Sequence, residues 1–512
     1  MTSGTATYPR RWWALAALAV SLLTVGLDQT VLNVAVPTLA TDLGASTTQL
    51  QWFGSAYTLA LASLLLPAGL LGDRYGPKKL LLGALALFGL ASLACAYSDS
   101  PGTLIAARVA LGVGAAFLIP LSMSLLNILF APEERSRALT VWVMATFLGI
   151  PLGPVLGGWL LDHFSWGSVF LINVPLVLVG LFAVGFLVPL TRGSGTGRID
   201  VAGIALSSAG LVALTYGFVR AGGDGWGSTG AWLMITVGAA LLAAFARWQT
   251  RAANPLTDLV LFRSPTFVWS AVLATISSFA LMGLLFVLPQ LFQAVEGANA
   301  LGTGLRLLPL IGGMLVASKA AEPLSAAAGV KRTVVLGFTL LAGGLVWGAS
   351  TAVGDGYGTT VLWEVVIGLG TGLTLPPLMA QAMGVLTQGR AGAGSALIQA
   401  LRQVGGTIGV AILGTVLNAG YRAGLDTSGL PPQVAEVARG SASAAVAVAR
   451  ELSSQPLLLN ARLSFVSGMD ATLWTCAGIA AAGAALAAMF LSSRAAGLVA
   501  GRPQSEHDVV SI

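Results

Sequence analysis

The amino-acid sequence predicts an all-α polytopic membrane protein with fourteen transmembrane helices. Of its 512 residues, 56% are hydrophobic and only 9% are charged, and the mean hydropathy is +0.85. Soluble proteins carry about 25% charged residues, so this composition excludes a soluble protein. The net charge of +6 is not a signal for nucleic-acid binding, because in a membrane protein the placement of Lys and Arg along the chain decides their role.

The second observation is the number of apolar runs. A run of about twenty apolar residues is long enough to cross the hydrocarbon core of a bilayer, and fourteen such runs occur in the sequence. The predicted spans are 12–36, 51–71, 80–97, 103–130, 138–161, 168–190, 201–219, 230–247, 266–293, 304–327, 333–350, 360–386, 394–420 and 469–491.

The third observation is that basic residues alternate from loop to loop. If the N-terminus faces the cytoplasm, every inner segment from Arg10 to Arg494 contains a Lys or Arg, whereas the short outer loops are acidic apart from Arg220. Basic residues are enriched in cytoplasmic loops, so both termini are expected in the cytoplasm. The Ala/Gly/Leu/Val-rich composition indicates a high-GC bacterial genome, and we therefore expect a bacterial cytoplasmic (inner) membrane.

The order of the spans predicts two similar halves. The predicted parts are an N-terminal six-helix bundle (1–190), two inserted linker helices (191–265), a C-terminal six-helix bundle (266–498) and a disordered cytoplasmic tail (499–512). The last two spans are joined on the outside by the segment 421–468, whose composition between Pro432 and Arg450 predicts a short amphipathic helix.

Asp28 lies in the middle of the first span, in the stretch LDQTVLNVAVP. An ionised carboxylate at the bilayer centre costs about 2.5–3.5 kcal/mol on insertion scales, so this carboxyl group can take up a proton near neutral pH. A cationic substrate nearby favours release of that proton, and one carboxylate can thus couple a proton and a cation by mutual exclusion. The alternative is a structural hydrogen bond to a neighbouring helix.

Other charged residues also fall within apolar runs. Arg108 keeps its charge when buried and must find a partner, unless its side chain extends to the outer surface. Glu364, near the outer part of span twelve, is the second candidate for contact with a proton or substrate. Lys319 and Glu322 are three residues apart on one helix, and they are expected to pair with and neutralise each other.

Two glycine-rich stretches have a predicted structural role. GLLGDRYGPKK, from Gly69 to Lys79, forms a tight loop in which Asp73 can accept hydrogen bonds from Arg74 or from helix ends. GIPLGPVLGG, from 149 to 158, would end a soluble helix, but in a membrane the helix can bend and still span. Its glycines also allow another backbone to approach closely, and a packing face without further function is the alternative.

These stretches, in their order along the chain, resemble motifs of the fourteen-helix drug:proton antiporter family of the major facilitator superfamily. LDQTVLNVAVP resembles the first-helix signature, GLLGDRYGPKK the loop between helices two and three, and GIPLGPVLGG the antiporter motif of the fifth helix. AGAGSALIQALRQVGGTIGVAILGTVLN, which contains Arg402, resembles the thirteenth-helix region. The resemblance implies the major facilitator fold, with six, two and six helices and a substrate site between the halves.

The resemblance also implies roles for individual residues. Asp28 and Arg108 are implied in proton coupling, whereas Glu364 has no counterpart in the family and is added because it lies in a span. The implied cytoplasmic gate comprises Gly69, Asp73, Arg74, Gly76, Lys78 and Lys79. The implied antiporter motif comprises Gly149, Pro151, Gly153, Pro154, Gly157 and Gly158.

Two positions depart from the family pattern. Ser55 stands where the second helix usually has an acid, and Leu111 stands where the fourth helix usually has Gln. The missing carboxylate weakens the expectation of dication export or of a two-proton stoichiometry.

Aromatic and polar side chains on these helices are candidates for the wall of a substrate cavity. Aromatic rings bind cations on their faces and bury apolar drugs, although most aromatic residues in a membrane protein pack or anchor at the interface. The candidates are Asn33, Trp52, Ser55, Tyr57, Trp142, Phe147, Phe279, Phe286, Gln290 and Gln293.

The predicted function is proton-coupled efflux of hydrophobic or cationic drugs by alternating access. The sequence has no enzyme signature and no nucleotide-binding P-loop, so a secondary transporter is expected, with the proton as coupling ion and no cofactor or metal. The expected partners are the lipid bilayer and a small drug, with no nucleic acid, and the protein is expected to be a monomer. The alternatives are a dedicated exporter of one antibiotic or metabolite, an importer with the same fold, and a non-transporting sensor.

Overall fold

The computed structural model describes residues 9–45, 47–190, 200–252, 259–386 and 391–491. These residues form eighteen α-helices, a 3-10 turn and a π-turn, with no strand among them. The predicted disordered tail lies outside the described residues. The helices are α1 (Arg11–Asp42), α2 (Thr47–Tyr75), α3 (Pro77–Ala96), α4 (Pro101–Leu129), α5 (Pro132–His163), α6 (Ser168–Leu171), α7 (Asn173–Leu187), α8 (Val201–Asp224), α9 (Thr229–Gln249), α10 (Pro265–Gln290), α11 (Ala300–Arg306), α12 (Leu308–Ala328), α13 (Val330–Gly348), α14 (Tyr357–Gly384), α15 (Ala391–Gly424), α16 (Pro432–Gly440), α17 (Ala442–Glu451) and α18 (Gln455–Phe490); the 3-10 turn is Leu259–Arg263 and the π-turn is Leu291–Val295.

The long helices coincide with the predicted spans. In the described residues, thirteen helices are long and apolar enough to cross a membrane, with α6 and α7 forming one of them and α11 and α12 another. The predicted fifth span is the remaining one, and it coincides with α5, a helix of 32 residues. The prediction of an all-α polytopic membrane protein with fourteen transmembrane helices is therefore confirmed.

Serine caps and prolines fix several helix starts. Ser100 accepts a hydrogen bond from the Thr103 N–H, and Pro101 is the first residue of α4. Ser264 accepts in the same way from the Phe267 N–H at the start of α10. Such caps satisfy N–H groups that have no partner within the helix, and a proline in the first turn removes one of these groups.

The helices pack in two groups, α1–α7 and α10–α18, which meet where α2 and α4 contact α15 and where α5 contacts α11, α12 and α14. We call the face of the bundle where α1 begins and α2 passes into α3 the N-terminal face, and the other end the opposite face. The predicted domain limits at residues 190 and 265 stay predictions.

The inserted helices contact both groups. Ser208 of α8 donates to the carbonyl of Ser63 in α2 over 2.6 Å, and Trp226, just after α8, donates to the Thr415 hydroxyl of α15 over 2.8 Å. α9 packs on α8 and is otherwise mostly exposed. The helix α8 therefore lies beside the boundary between the two groups.

The segment between the last two spans contains two helices where the sequence predicted one. Ser441 has an extended backbone between α16 and α17, and its hydroxyl accepts from the Ala444 N–H, which caps α17. The Tyr421 hydroxyl of α15 donates to the Ala438 and Ser441 carbonyls. Tyr421 thus ties the break between the two helices to the end of α15, and α17 packs against α18. The helix α18 also begins at Gln455, well before the predicted span.

Candidate functional site

A buried ion pair joins the first and fourth helices. Arg108 Nη1 lies 2.6 Å from Asp28 Oδ2, and the two side chains are 2% and 0% exposed. Asp28 stands near the middle of α1, and Arg108 is the eighth residue of α4. A guanidinium keeps its charge when buried and needs a partner, which here is Asp28. Arg108 therefore does not extend to the outer surface, the alternative left open by the sequence.

Further groups hold the arginine in place. Arg108 Nε donates to the Phe53 carbonyl of α2 over 2.9 Å. The guanidinium carbon lies 4.5 Å from the ring centre of Tyr57, one turn further along α2. Rings attract cations over their faces. If Asp28 took up a proton, Arg108 would keep these two partners while the local charge rose from zero to one positive charge.

Asn173 is a second polar residue that contacts Asp28, and it is not among the residues predicted from the sequence. Asn173 Nδ2 of α7 lies 3.4 Å from Asp28 Oδ1 and 3.3 Å from the Ser92 hydroxyl of α3. Asn173 is fully buried. A lone amide inside the apolar run from Val169 to Leu187 is the signal that could have found it, since a buried polar side chain must be hydrogen-bonded.

The glycines of α5 bring its backbone against α1 on both sides of Asp28. A Cβ atom on Gly149 would lie 2.7 Å from the Cα of Gly26, and one on Gly153 would lie 2.9 Å from the Val31 nitrogen. Both neighbours are backbone atoms, so only glycine allows this helix separation. The spacing of four residues places these glycines on one face of α5, and that face fixes the position of Asp28.

The other described residues of the predicted antiporter motif lie on the same face of α5 or are buried. A Cβ atom on Gly157 would lie 2.8 Å from a Val31 methyl group. Pro154 and Gly158 are buried, and α5 stays helical through Pro154. The side chain of Pro151 lies outside the described residues.

The turn between α2 and α3 contacts the other group at the N-terminal face. Asp73 Oδ1 accepts from the Gly392 N–H and Asp73 Oδ2 from the Ala393 N–H, both over 2.9 Å. These N–H groups belong to the first turn of α15, where they have no partner within the helix and favour a negative charge. Of the two partners considered from the sequence, Asp73 thus uses a helix end. Gly69 is needed at this contact, because a Cβ atom there would lie only 2.3 Å from the Gly392 carbonyl oxygen.

The other predicted gate residues have separate environments. Lys78 Nζ donates to the Gly185 and Val188 carbonyls at the end of α7, over 2.8 and 2.6 Å. Gly76 precedes α3 with φ of 96°, a backbone conformation that favours glycine. The Arg74 guanidinium carbon lies 5.6 Å from the Tyr75 ring centre. Lys79 is exposed.

Two contacts between α4 and α15 also lie towards the N-terminal face. The Ser395 hydroxyl donates to the Pro120 carbonyl over 3.2 Å, and Gln399 Nε2 lies 3.5 Å from the Met123 sulfur. Together with the Asp73 contact, they bring the two groups together at this face.

Glu364 is buried within α14. Its side chain is fully buried, and neither carboxyl oxygen has a hydrogen-bond partner among the described residues. It is the eighth residue of α14, as Arg108 is of α4, and α4 and α14 are the fourth spans of the two groups. No hydrogen bond or ion pair in the described part of the chain joins Glu364 to Asp28.

The structure separates the residues predicted to line one substrate cavity. Trp52 is 36% exposed and stacks on Tyr216 of α8, with ring centres 6.0 Å apart. It lines a small apolar cavity of about 230 Å³ between α2, α4 and α8, on the side of the bundle. Tyr57 lies instead over the Arg108 guanidinium. Ser55, which lies between Trp52 and Tyr57 in the sequence, is half-buried.

The remaining predicted cavity residues also lie in different places. Trp142 is buried and donates to the Ser122 hydroxyl over 3.0 Å. The Phe279 backbone packs against Gly409, and the Phe286 ring packs against Gly414. Gln290 Nε2 donates to the Phe286 carbonyl of its own helix, and Gln293 is exposed. The side chains of Asn33 and Phe147 lie outside the described residues.

One expectation about charged residues of the second group is wrong. Lys319 and Glu322 form no ion pair in the described structure, where Lys319 is exposed and Glu322 is half-buried. The ion pair of this group joins Arg306 Nη1 and Glu296 Oε2 over 2.7 Å, at the opposite face. Asp470 of α18 is half-buried, and its Oδ1 has no hydrogen-bond partner among the described residues.

The sequence matches the Major Facilitator Superfamily over residues 18–410. The chain belongs to this family, and it is a transporter and not an enzyme. Three relatives are similar over most of their length. They are the tetracenomycin C resistance and export protein of Streptomyces glaucescens (34% identical, 80% of this chain and 76% of the relative), the multidrug efflux pump LfrA of Mycolicibacterium smegmatis (34%, 94% and 97%) and the methyl viologen resistance protein SmvA of Salmonella typhimurium (33%, 89% and 93%).

Solved structures show the same fold at lower identity. The human organic anion transporter MFSD10 has a TM-score of 0.61 and is 15% identical, over 94% of this chain and 99% of its own. A bacterial homologue of the lysosomal transporter Spinster, inward-facing and unoccupied, has a TM-score of 0.58 and is 17% identical, over 95% and 98%. The predicted major facilitator fold of a multi-pass membrane protein is thus confirmed.

Proposed function

We propose that this protein exports hydrophobic or cationic drugs from bacteria in exchange for protons, and that it lies in the cytoplasmic membrane with both termini inside. Relatives named for drug export and antibiotic resistance, at 33–34% identity over most of the chain, support efflux. The alternation of basic loops supports the orientation. Under this orientation the N-terminal face is the cytoplasmic face.

The observation that carries proton coupling is the buried ion pair between Asp28 and Arg108. Of the two groups, only the carboxylate can change its charge, because a guanidinium is not deprotonated in proteins. A proton taken up from outside neutralises Asp28 and leaves one positive charge at the site. That charge repels a cationic drug, which leaves to the outside. On the inside, binding of the drug and release of the proton restore the ion pair.

Contacts at the N-terminal face support the alternating part of the cycle. Asp73 and the first turn of α15 close this face in the structure, as does the contact between Gln399 and Met123. These contacts join groups on different helix bundles, so they must break when the face opens to the cytoplasm. The proposed gate is therefore an ion–helix contact that is made in one state and lost in the other.

Glu364 is the proposed second protonation site. A carboxylate with no hydrogen-bond partner and no exposure is too costly to stay charged in a membrane, so this residue is proposed to carry a proton in the described state. It gains a route for releasing that proton only when the second group rearranges. Its position, equivalent to that of Arg108 in α4, supports a role in the same cycle.

The proposed function is tested by ethidium transport into everted membrane vesicles. We expect uptake that depends on respiration and stops within seconds when a protonophore collapses the proton gradient, because drug leaves in exchange for protons. Vesicles from cells without the protein are the control. Ethidium uptake that survives the protonophore would contradict proton coupling.

A dedicated exporter of one antibiotic or metabolite is the second candidate. Ser55 favours it, because the second carboxylate that would attract a second positive charge is absent. Under this candidate the wild-type protein fails to move ethidium but protects cells against one compound. Substitution Ser55→Asp separates the two candidates, since gain of methyl viologen export on adding the acid would show a multidrug site limited by charge.

We expect the substitution Asp73→Ala to open the N-terminal face. It removes two hydrogen bonds of an ionised acceptor, each worth about 1.5–3 kcal/mol, so the closed state should become at least about tenfold less populated. The measurement is the rate of maleimide labelling of Ser395→Cys, which is fully buried in the closed state, in a protein whose Cys95 and Cys476 are replaced by Ala. Lys79→Ala, at an exposed gate position, is the control and should leave the rate unchanged. A labelling rate that is the same with and without the Asp73→Ala substitution would rule out the gate.

A further inference from the structure

Arg402 is an arginine within the membrane-spanning helix α15. Its Nε donates to the Ser278 hydroxyl of α10 and its Nη1 to the side-chain oxygen of Gln399, both over 3.0 Å. Both partners are neutral. No Asp or Glu of the described residues pairs with Arg402, in contrast to Arg108, Arg306 and Arg11.

Arg402 stands halfway through the membrane. Ser278 is in the middle of α10, and Arg402 is in the first half of α15, about three turns from its start. A guanidinium keeps its charge there, and charged residues inside membranes are normally paired or face a water-filled path. Arg402 is half-buried, and its Nη2 makes no hydrogen bond among the described residues, which leaves one edge of the guanidinium without a partner there.

The same face of α15 meets the first group of helices. Ser395 and Gln399 contact Pro120 and Met123 of α4. Arg402 lies one turn beyond Gln399 on this face, immediately behind the last of these contacts when counted from the N-terminal face. When the two groups part at that face, the bond from Arg402 to Gln399 is at the surface that becomes open.

The other buried charged groups that the structure describes do not balance the positive charge of Arg402. Asp28 and Arg108 neutralise each other. Glu364, a fully buried acid of α14, has no cationic partner within hydrogen-bonding distance among the described residues. Among the described residues, Arg402 is therefore a charge within the spans that contacts only neutral groups, and Ser55 stands in α2 where the resemblance implies an acid.

We propose that Arg402 binds an acidic group of the exported compound, a carboxylate or an ionised phenol or enol, so that among hydrophobic or cationic compounds those that also carry an acid bind more tightly. This inference rests on the proposed export function and names the chemical class of its substrate. A guanidinium with one free edge binds a carboxylate through parallel N–H donors. Gln399 contacts both Arg402 and Met123. Binding of an acid at Arg402 is therefore linked to the contact between α15 and α4.

The test compares two dyes that differ only at one acid. Rhodamine 110 has a free carboxylate, and rhodamine 123 is its methyl ester. Equilibrium binding of each dye to the purified full-length protein in lipid nanodiscs is measured by fluorescence polarisation, for the wild type, Arg402→Gln and Arg402→Lys. Binding does not need a proton gradient, so its outcome is separate from that of the vesicle experiment.

We expect the wild type to bind the acid about tenfold more tightly than the ester, since a hydrogen bond to a charged group is worth about that factor. Arg402→Gln should remove this preference by weakening the acid alone, and Arg402→Lys should keep part of it. A wild type that binds both dyes equally would overturn the proposal. An Arg402→Gln protein in which the binding of both dyes weakens to the same extent would also overturn it, because Arg402 would then only tie α10 to α15. Either result would leave the drug export measured in vesicles untouched.

Discussion

Replacing Asp28 with Asn should abolish proton-coupled efflux while the protein still folds. Asn is the same size as the protonated acid and can still accept a hydrogen bond from Arg108, but it cannot release a proton. The site would then be fixed in its positively charged form, which the proposed cycle visits in every turnover. We expect energised ethidium uptake into everted vesicles to fall to the level of empty vesicles, with normal amounts of protein in the membrane. Uptake at the wild-type rate would contradict the role of Asp28.

Apolar substitutions at the two positions should differ in their cost, which separates the ion pair from simple packing. Asp28→Leu leaves a buried guanidinium that cannot lose its charge, and breaking a buried pair in this way costs about 3–5 kcal/mol. Arg108→Leu leaves a carboxyl group that can bind a proton and become neutral, so its cost should be smaller. The double substitution should be less harmful than Asp28→Leu alone. Unfolding of the purified proteins in detergent measures the three values, and equal losses for the two single changes would argue against the charge-based explanation.

Adding one methyl group at Gly149 should destabilise the first group of helices. A Cβ atom there would lie 2.7 Å from the Gly26 Cα and from the Leu27 nitrogen. Backbone atoms cannot move aside as a flexible side chain can, so α5 must shift from α1. Overpacking of this kind costs about 1–3 kcal/mol. Because Asp28 follows Leu27 in α1, a change in the contact between α5 and α1 also displaces Asp28. We expect Gly149→Ala to lower both the unfolding temperature in detergent and the rate of energised efflux.

The matched control is Gly83→Ala in α3. Gly83 is exposed and a Cβ atom there would have no neighbour within 4 Å. Replacing Gly with Ala in a helix gains up to about 1 kcal/mol through backbone entropy, so this change should be neutral or stabilising. A Gly149→Ala protein as stable and as active as Gly83→Ala would show that the two helices do not need their close approach.

Asp28 and Arg108 could each be predicted as candidate functional residues from the sequence, but the contact between them could not. Asp28 and Arg108 stand out because each is a charge in an apolar run. They are separated by 80 residues, and the sequence does not say which faces of α1 and α4 meet. The glycine spacing of α5 predicted a close approach of another backbone without identifying α1 as that backbone. Asn173 was missed because a neutral amide disturbs hydropathy much less than a charge does.

The candidate cavity was the least predictable part. Whether an aromatic residue faces a central path, a neighbouring helix or lipid depends on the rotation of its helix, and an almost uniformly apolar helix carries little signal for that rotation. Trp52 therefore faces α8 on the side of the bundle, whereas Tyr57, on the same helix, lies over Arg108. The count of spans, by contrast, depends only on the length of apolar runs, and it was predictable.

The most direct test of the central claim is the release of protons when drug binds to the purified protein in weakly buffered detergent solution near neutral pH. We predict that ethidium added to the wild type releases protons in proportion to the drug bound, detected with a pH-sensitive dye, and that Asp28→Asn, whose site keeps its positive charge, binds ethidium more weakly and releases fewer protons for each drug molecule bound. Drug binding to the wild type without any release of protons, or equal release from Asp28→Asn, would contradict exchange of drug and proton at Asp28.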